Sequence, residues 1–221
     1  MWNAMLVDRI VVGLLQTNSY IVFNEDSGKG VVIDAGGEPQ KIINKIRGRE
    51  IEVKGIYVTH CHFDHILAVR ELKEALGCKF YIHRADAEVL KRSVEDAEIY
   101  LGLSNFDPPK PDGYIDDGDE IRIGENVLKV FHTPGHTPGS VSYVFHGGVF
   151  TGDILFAGSI GRTDMFGGDI KLLVKSIIEK LFKLPDQYVI YPGHGPTSTI
   201  GVEKKFNPYV GVDGILRSKF P

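Results

Sequence analysis

Residues 58–67, VTHCHFDHIL, put three of the chain's eight histidines and an aspartate into six consecutive positions: His60, His62, Asp64 and His65. The run follows GIYVT, which reads as a strand, and precedes ILAVRELKEALG, whose apolar spacing reads as a helix. If the chain leaves the strand still extended, a period of two sends His60 and His62 to one side and Cys61 to the other. Asp64 and His65 stand where helical spacing begins, so they leave the strand direction and address a second point nearby. One turn can thus feed two metal ions. Imidazole nitrogen and carboxylate oxygen suit Zn²⁺, Fe²⁺ or Mn²⁺, while the lack of a paired thiolate argues against a structural zinc–sulfur knot. Cys61 reads as a bystander facing the core.

Three further segments repeat one pattern, a β-branched strand running into a metal-type residue flanked by glycine. They are KVFHTPGHTPGS with His136, GVFTGDILF with Asp153, and YVIYPGHGP with His194. Glycine lets the backbone turn sharply and approach a site closely, so each segment would present its ligand from a strand end into a cleft. Taken singly, Asp153 reads equally well as a turn aspartate and His194 as a loop histidine. Taken with HCHFDH, they complete a ligand set.

The remaining pattern supplies the frame. Strands are expected at MLVDRIVV, SYIVFN and VVIDAGG, with a hairpin around Gly28 and Gly30. EPQKIINKIRG predicts a helix bounded by Pro39 and Gly48, with Ile42, Ile43 and Ile46 on its apolar side. After strand VKGIYVT, HILAVRELKEALG predicts a helix with Ile66, Val69, Leu72 and Leu76 on one side, stopping at Gly77. Strand KFYIH and helix RADAEVLKRSVEDAEIYLG follow, and the prolines of DPPKPDG break the helix and mark a surface crossing. Strands DEIRIG, NVLKVFHT, SVSYVFHG and GVFTGD lead to helix DIKLLVKSIIEKLFKLP. There Asp169 is the expected N-cap, with Leu172, Leu173, Ile177 and Leu181 on the buried side. QYVIYP is the last expected strand. Neither strict βα alternation nor an all-β order fits, which leaves a layered mixed α/β architecture.

A length of 221 residues fits one domain spanning 1–221. An apolar share of 43% and a charged share of 24% are ordinary for a globular chain, so disorder is not indicated. The net charge of -4 comes without a block of like charges, so neither nucleic acid nor an anionic membrane is an expected partner. The longest apolar stretches, such as IVVGLL, fall far short of the roughly 20 residues that span a bilayer. MWNAMLVDRI lacks the pattern of a secretory signal, and two cysteines make no disulfide framework, so the cytoplasm is the expected compartment. Oligomeric state has no signal in the sequence.

The segments VVIDAGG, THCHFDH, HTPGHTPGS, TGDILF and YPGHG resemble, in order, the five signature segments of the metallo-β-lactamase fold superfamily. LFAGSIGRTD and TSTIGVEKKFNP resemble its compact glyoxalase II-like hydrolases. The resemblance implies a four-layer αβ/βα sandwich with a metal cleft along one edge of two mixed sheets. It puts a first metal on His60, His62 and His136, a second on Asp64, His65 and His194, and a bridging carboxylate at Asp153. Asp34 matches a residue that orients the metal loop by hydrogen bonding, and also reads simply as a turn former ahead of Gly36 and Gly37.

The implied activity is metal-dependent hydrolysis of a thioester such as S-lactoylglutathione or a related acylthiol. Two divalent ions, zinc first and iron or manganese as alternatives, would share a hydroxide nucleophile. Four metal charges less Asp64, Asp153 and the hydroxide leave roughly one positive charge, so the site stays electrophilic. Asp64 and Asp34 are the catalytic candidates, although Asp64 as a ligand has little freedom to relay a proton. Full-length glyoxalase II builds much of its glutathione pocket from a C-terminal helical domain, whereas only VEKKFNPYVGVDGILRSKFP follows the last segment here. Arg162, Lys204 and Lys205 are therefore the candidate anion contacts, against their plain reading as solvated charges. The alternative activity is a persulfide dioxygenase with a single iron on His60 or His62, His136 and Asp153, a group that also shows GRTD. Nucleic-acid processing lacks its inserted domain and basic surface, and the flavodiiron-type carriers place a glutamate where His62 stands.

Overall fold

The computed structural model describes residues 5–217 and residue 219. The N-terminal MWNA and the tail residues Ser218, Phe220 and Pro221, on which the reading of the leader and of the tail partly rests, lie outside the described residues. Strands β1 (Met5–Val12), β2 (Thr17–Asn24) and β3 (Lys29–Ile33) form the expected meander, joined by antiparallel ladders. Helix α1 (Pro39–Gly48) then crosses to β4 (Glu52–Tyr57), which pairs parallel to β3. Helix α2 (Val69–Leu76), strand β5 (Lys79–His83), helix α3 (Ala87–Leu101) and strand β6 (Gly113–Ile115) complete a sheet in the order β1-β2-β3-β4-β5-β6.

The second sheet uses β7 (Glu120–Ile123), β8 (Asn126–His132), β9 (Val141–Phe145) and β10 (Gly148–Gly152) as an antiparallel run. A short hairpin of β11 (Leu155–Phe156) and β12 (Ser159–Ile160) and helix α4 (Ile170–Glu179) intervene. Strand β13 (Val189–Pro192) then pairs parallel to β10, and β14 (Ser198–Thr199) leads into helix α5 (Ile200–Phe206). The order is β14-β13-β10-β9-β8-β7.

Strand β2 shows why the layers stack. Its residues are buried on both faces, and the period of two sends Ile21 and Phe23 against α1 and α2, but Tyr20 and Val22 against the other sheet. Between the sheets, Val31 and Ile33 meet Leu128, Val130, Tyr143 and Phe150. Outside the second sheet, Val149 and Ile190 pack on Leu173, Val174 and Ile177 of α4. The outcome is helices, sheet, sheet, helices: the expected four-layer sandwich with both sheets mixed.

Several details depart from the sequence reading, among them the end of α4 at Glu179, which leaves Leu181 in a separate 3₁₀ turn over Leu181–Lys183. The helix expected from His65 begins only at Val69. Phe63–His65 form a 3₁₀ turn, and the Ala68 amide donates to Ala35 O at 2.9 Å, a tertiary bond that holds the chain off the helical path. Leu172 is 43% exposed, because the buried stripe of α4 runs through Leu173, Val174 and Ile177, about 100° further round. Strand β6, the β11–β12 hairpin, β14 and α5 were not marked by periodicity, being too short to show a period.

Candidate metal centre

Strands β3, β4, β8, β10 and β13 all end at one edge, and each releases a polar residue there. The chain stays extended past β4, with His62 at φ -64° and ψ 147°, so His60 and His62 converge while Cys61 turns into the core. His136 Nε2 stands 3.2 Å from His60 Nε2 and 3.0 Å from His62 Nδ1. Three buried imidazole nitrogens facing one another cannot satisfy one another as donors and acceptors. A tetrahedral ion with bonds of about 2.0–2.1 Å would hold such nitrogens roughly 3.3 Å apart, so the spacing fits a metal. Burial and the neighbouring histidines hold all three imidazoles below their ordinary pKa, His62 at about 3. Each therefore keeps a lone pair for a cation.

The second cluster comprises Asp64, His65 and His194, whose ligand atoms lie within 4.8 Å of one another. His65 is fully buried; its Nδ1 lies 3.0 Å from Asp34 Oδ2, and its Nε2 has no hydrogen-bond partner, 3.6 Å from both Asp64 Oδ2 and Asp153 Oδ1. An unpaired buried nitrogen is costly unless something binds it. Asp153 reaches both clusters, Oδ2 standing 3.8 Å from His136 Nε2 and Oδ1 3.1 Å from His194 Nδ1. Burial disfavours charge on His65, yet Asp34, Asp64 and Asp153 outweigh it and push its pKa up to about 9. His194, against the same penalty, is raised by Asp153 and Asp64 to about 10. Protons on these two rings thus balance carboxylates that a divalent ion would otherwise neutralise.

Asp34, the other catalytic candidate, sits in the left-handed region at φ 57° and is buried. It accepts from Thr59 N at 2.7 Å and Thr59 Oγ1 at 2.9 Å, which fixes the residue before His60. Its contacts are thus with Thr59 and the His65 ring, on the outer side of the clusters. Arg162 lines the cleft beside the clusters together with Leu15, Phe63, Tyr100 and Met165. Lys204 and Lys205 do not: Lys204 pairs with Asp186 at 3.1 Å and Lys205 lies over the Phe206 ring, both on α5 away from the cleft lining. Of the three expected anion contacts, only Arg162 is brought to the cleft lining.

Sequence reasoning missed the residues that brace these loops. Asp86 is 1% exposed and accepts from Cys61 N at 2.9 Å, Thr137 Oγ1 at 2.9 Å and Gly139 N at 2.6 Å. It thereby bolts the His60–His62 segment to the His136 loop. Thr17 Oγ1 donates to Asp64 Oδ2 at 3.2 Å, and Asn18 Nδ2 donates to Pro192 O and Gly195 O, both at 2.9 Å, on either side of His194. Tyr20 and Tyr143 donate their hydroxyls to Pro192 O and Val58 O, at 2.6 and 2.7 Å, at the ends of two ligand-bearing strands. No local spacing announces any of these.

Comparison with known proteins agrees with this geometry. A family model described as the metallo-beta-lactamase superfamily matches residues 12–194. The chain is 34% identical over 209 residues to hydroxyacylglutathione hydrolase GloC of Haemophilus influenzae, covering 93% of this chain and 98% of that one. Among solved structures it is similar to the BLEG-1 B3 metallo-beta-lactamase, with a TM-score of 0.86 and 36% identity over 93% of this chain and 99% of the other. It is similar also to TTHA1623 in a di-iron-bound form, with a TM-score of 0.83 and 36% identity over 92% and 100%. ETHE1 from Myxococcus xanthus gives 0.78 and 28% over 93% and 84%.

Proposed function

Since the chain belongs to the metallo-β-lactamase superfamily, we propose that it is a metal-dependent hydrolase of thioesters, S-lactoylglutathione or a related acylthiol. His60, His62 and His136 would hold one divalent ion, Asp64, His65 and His194 a second, and Asp153 would serve both. The observation that carries the reading is the completeness of the second cluster beside the first. Likeness to a protein named hydroxyacylglutathione hydrolase supports the substrate class, and likeness to a di-iron-bound protein supports two ions with iron beside zinc as a candidate.

Held by these clusters, divalent ions would lower the pKa of a bound water and polarise an acyl oxygen near neutral pH. The protein's own groups do the rest. Burial keeps the three imidazoles of the first cluster neutral, and Asp34 and Asp86 hold their backbone in place. Thr17 fixes Asp64 by a hydrogen bond, so Asp64 orients and has little freedom to carry a proton. Leu15, Phe63, Tyr100 and Met165 give the cleft an apolar wall that takes the acyl portion and limits water. A thioester suits this arrangement because its thiolate leaves without a proton donor, and the cleft lining offers no lysine to act as one.

A second reading, a persulfide dioxygenase with a single iron on His60 or His62, His136 and Asp153, is favoured by His136 Nε2 standing 3.2 Å from His60 Nε2, 3.0 Å from His62 Nδ1 and 3.8 Å from Asp153 Oδ2, which gathers two histidines and a carboxylate. One experiment separates the two. Elemental analysis of the purified protein is paired with hydrolysis of an acylthiol panel and oxygen uptake on a persulfide. Two ions per chain with thioester cleavage uphold the hydrolase; one iron with oxygen uptake overturns it.

A further inference from the structure

The cleft at the metal clusters continues into a second pocket of about 290 Å³ between α3 and the 162–166 loop. His62, Tyr100, Arg162 and Met165 line both. The far pocket adds Arg92, Glu95, Asp96 and Ile99, which lie three and four positions apart and so form one stripe of α3.

The charges in this pocket are not equivalent. Arg162 is spoken for: Asp164 grips its guanidinium at two points, 2.7 and 2.8 Å, and the pair neutralises itself. Arg92 is different. Its guanidinium carbon lies 3.9 Å from the centre of the Phe166 ring, a cation–π contact that holds the group over an apolar face without taking up its N–H donors. Among the described residues no ion pair within 4 Å involves Arg92, Glu95 or Asp96. Burial and Glu95 push the Asp96 carboxyl up while Arg92 draws it down, so the three groups share one field. One open cation beside two open carboxylates disfavours a purely anionic guest, which would face both carboxylates. It suits a guest carrying a carboxylate and an ammonium together.

Resting on the thioesterase reading above, we propose that this pocket receives the far end of the substrate's thiol carrier, a zwitterionic α-amino-acid group. Arg92 takes its carboxylate, and Glu95 and Asp96 take its ammonium. The acyl carbon then lies at the metal clusters and the carrier runs along Tyr100 and Met165. Helix α3 thus supplies a specificity contact that neither the Arg162–Asp164 pair nor Lys204 and Lys205 provide.

The test compares wild type with Arg92→Met, both metal-loaded, on two thioesters of one acyl group. One is the ester of glutathione, whose γ-glutamyl end carries both charges; the other is the ester of N-acetylcysteamine, which carries none. Arg92 is exposed, so equal thermal midpoints check that the variant folds. The expected result is a loss of about 10–100-fold in kcat/KM on the glutathione ester, carried by KM, and less than about 2-fold on the neutral ester. Calorimetric binding of glutathione itself should weaken by the same factor. Equal losses on both esters, or none on either, overturn the subsite and leave the hydrolase reading standing. Arg92-dependent glutathione binding without cleavage of any thioester upholds the subsite and overturns the hydrolase; absence of both binding and cleavage overturns the two together.

Discussion

His136 Nδ1 donates to the main-chain oxygen of Arg162 at 2.8 Å. A carbonyl only accepts, so this bond fixes the ring's tautomer and leaves Nε2, the atom facing His60 and His62, with its lone pair free. It also ties the first cluster to the loop that walls the cleft. His136→Ala should therefore remove the first ion and spare Asp64, His65 and His194. Elemental analysis is expected to fall from about two ions per chain toward one, with hydrolysis down by at least about 100-fold. Full retention of both ions would contradict the assignment.

Asp86 uses one oxygen for Gly139 N and the other for Cys61 N and Thr137 Oγ1. In Asp86→Asn the amide nitrogen must face one of those donors, so one brace is lost and a buried N–H goes unpaired. Chelator competition should show the first ion bound about 10–100-fold more weakly while the second is retained. A uniform drop at both clusters would mean that Asp86 serves the fold at large.

Gly193 precedes His194 where the backbone passes against the Asp153 carboxylate. A Cβ there would overlap Asp153 Oδ1 and stand 2.8 Å from His65 Cε1. Gly193→Ala should displace Asp153 and cost both ions together, whereas His136→Ala costs one. Elemental analysis of the two variants side by side makes the comparison.

His83 carries a pH dependence away from the metal clusters. It is buried and stacked on His132 with ring centres 4.1 Å apart. Burial first, then His132, pushes its pKa down from 6.5 to about 4. Between those values the unfolded chain binds a proton that the folded chain does not, so stability falls as the pH drops. The contribution is whole above pH 6.5 and lost as the pH falls through about 4. His83→Gln should flatten the decline of thermal midpoint over that window relative to wild type; parallel declines would refute the assignment.

What the residues announce by themselves is local. HCHFDH, the glycine-flanked His136, Asp153 and His194, and the amphipathic stripes of α1 and α3 depend on neighbours a few positions away. Periodicity of 2 or 3.6 and the freedom of glycine are enough to read them. The same logic failed at Leu172 and at the start of α2, where one tertiary bond from Ala68 to Ala35 overrode the helical spacing.

The sequence by itself thus determined which metal-ligating side chains gather and which strand ends present them. Only the folded chain decided what braces them: Asp86 lies 25 positions from Cys61 and 51 from Thr137, and Thr17 meets His194 across 177. It also decided that Arg92 shares a pocket with His62, whereas Lys204 and Lys205 are left out of the cleft lining. The reason is physical. A hydrogen bond or a shared pocket between distant residues depends on how two sheets stack, and no spacing along the chain encodes that distance.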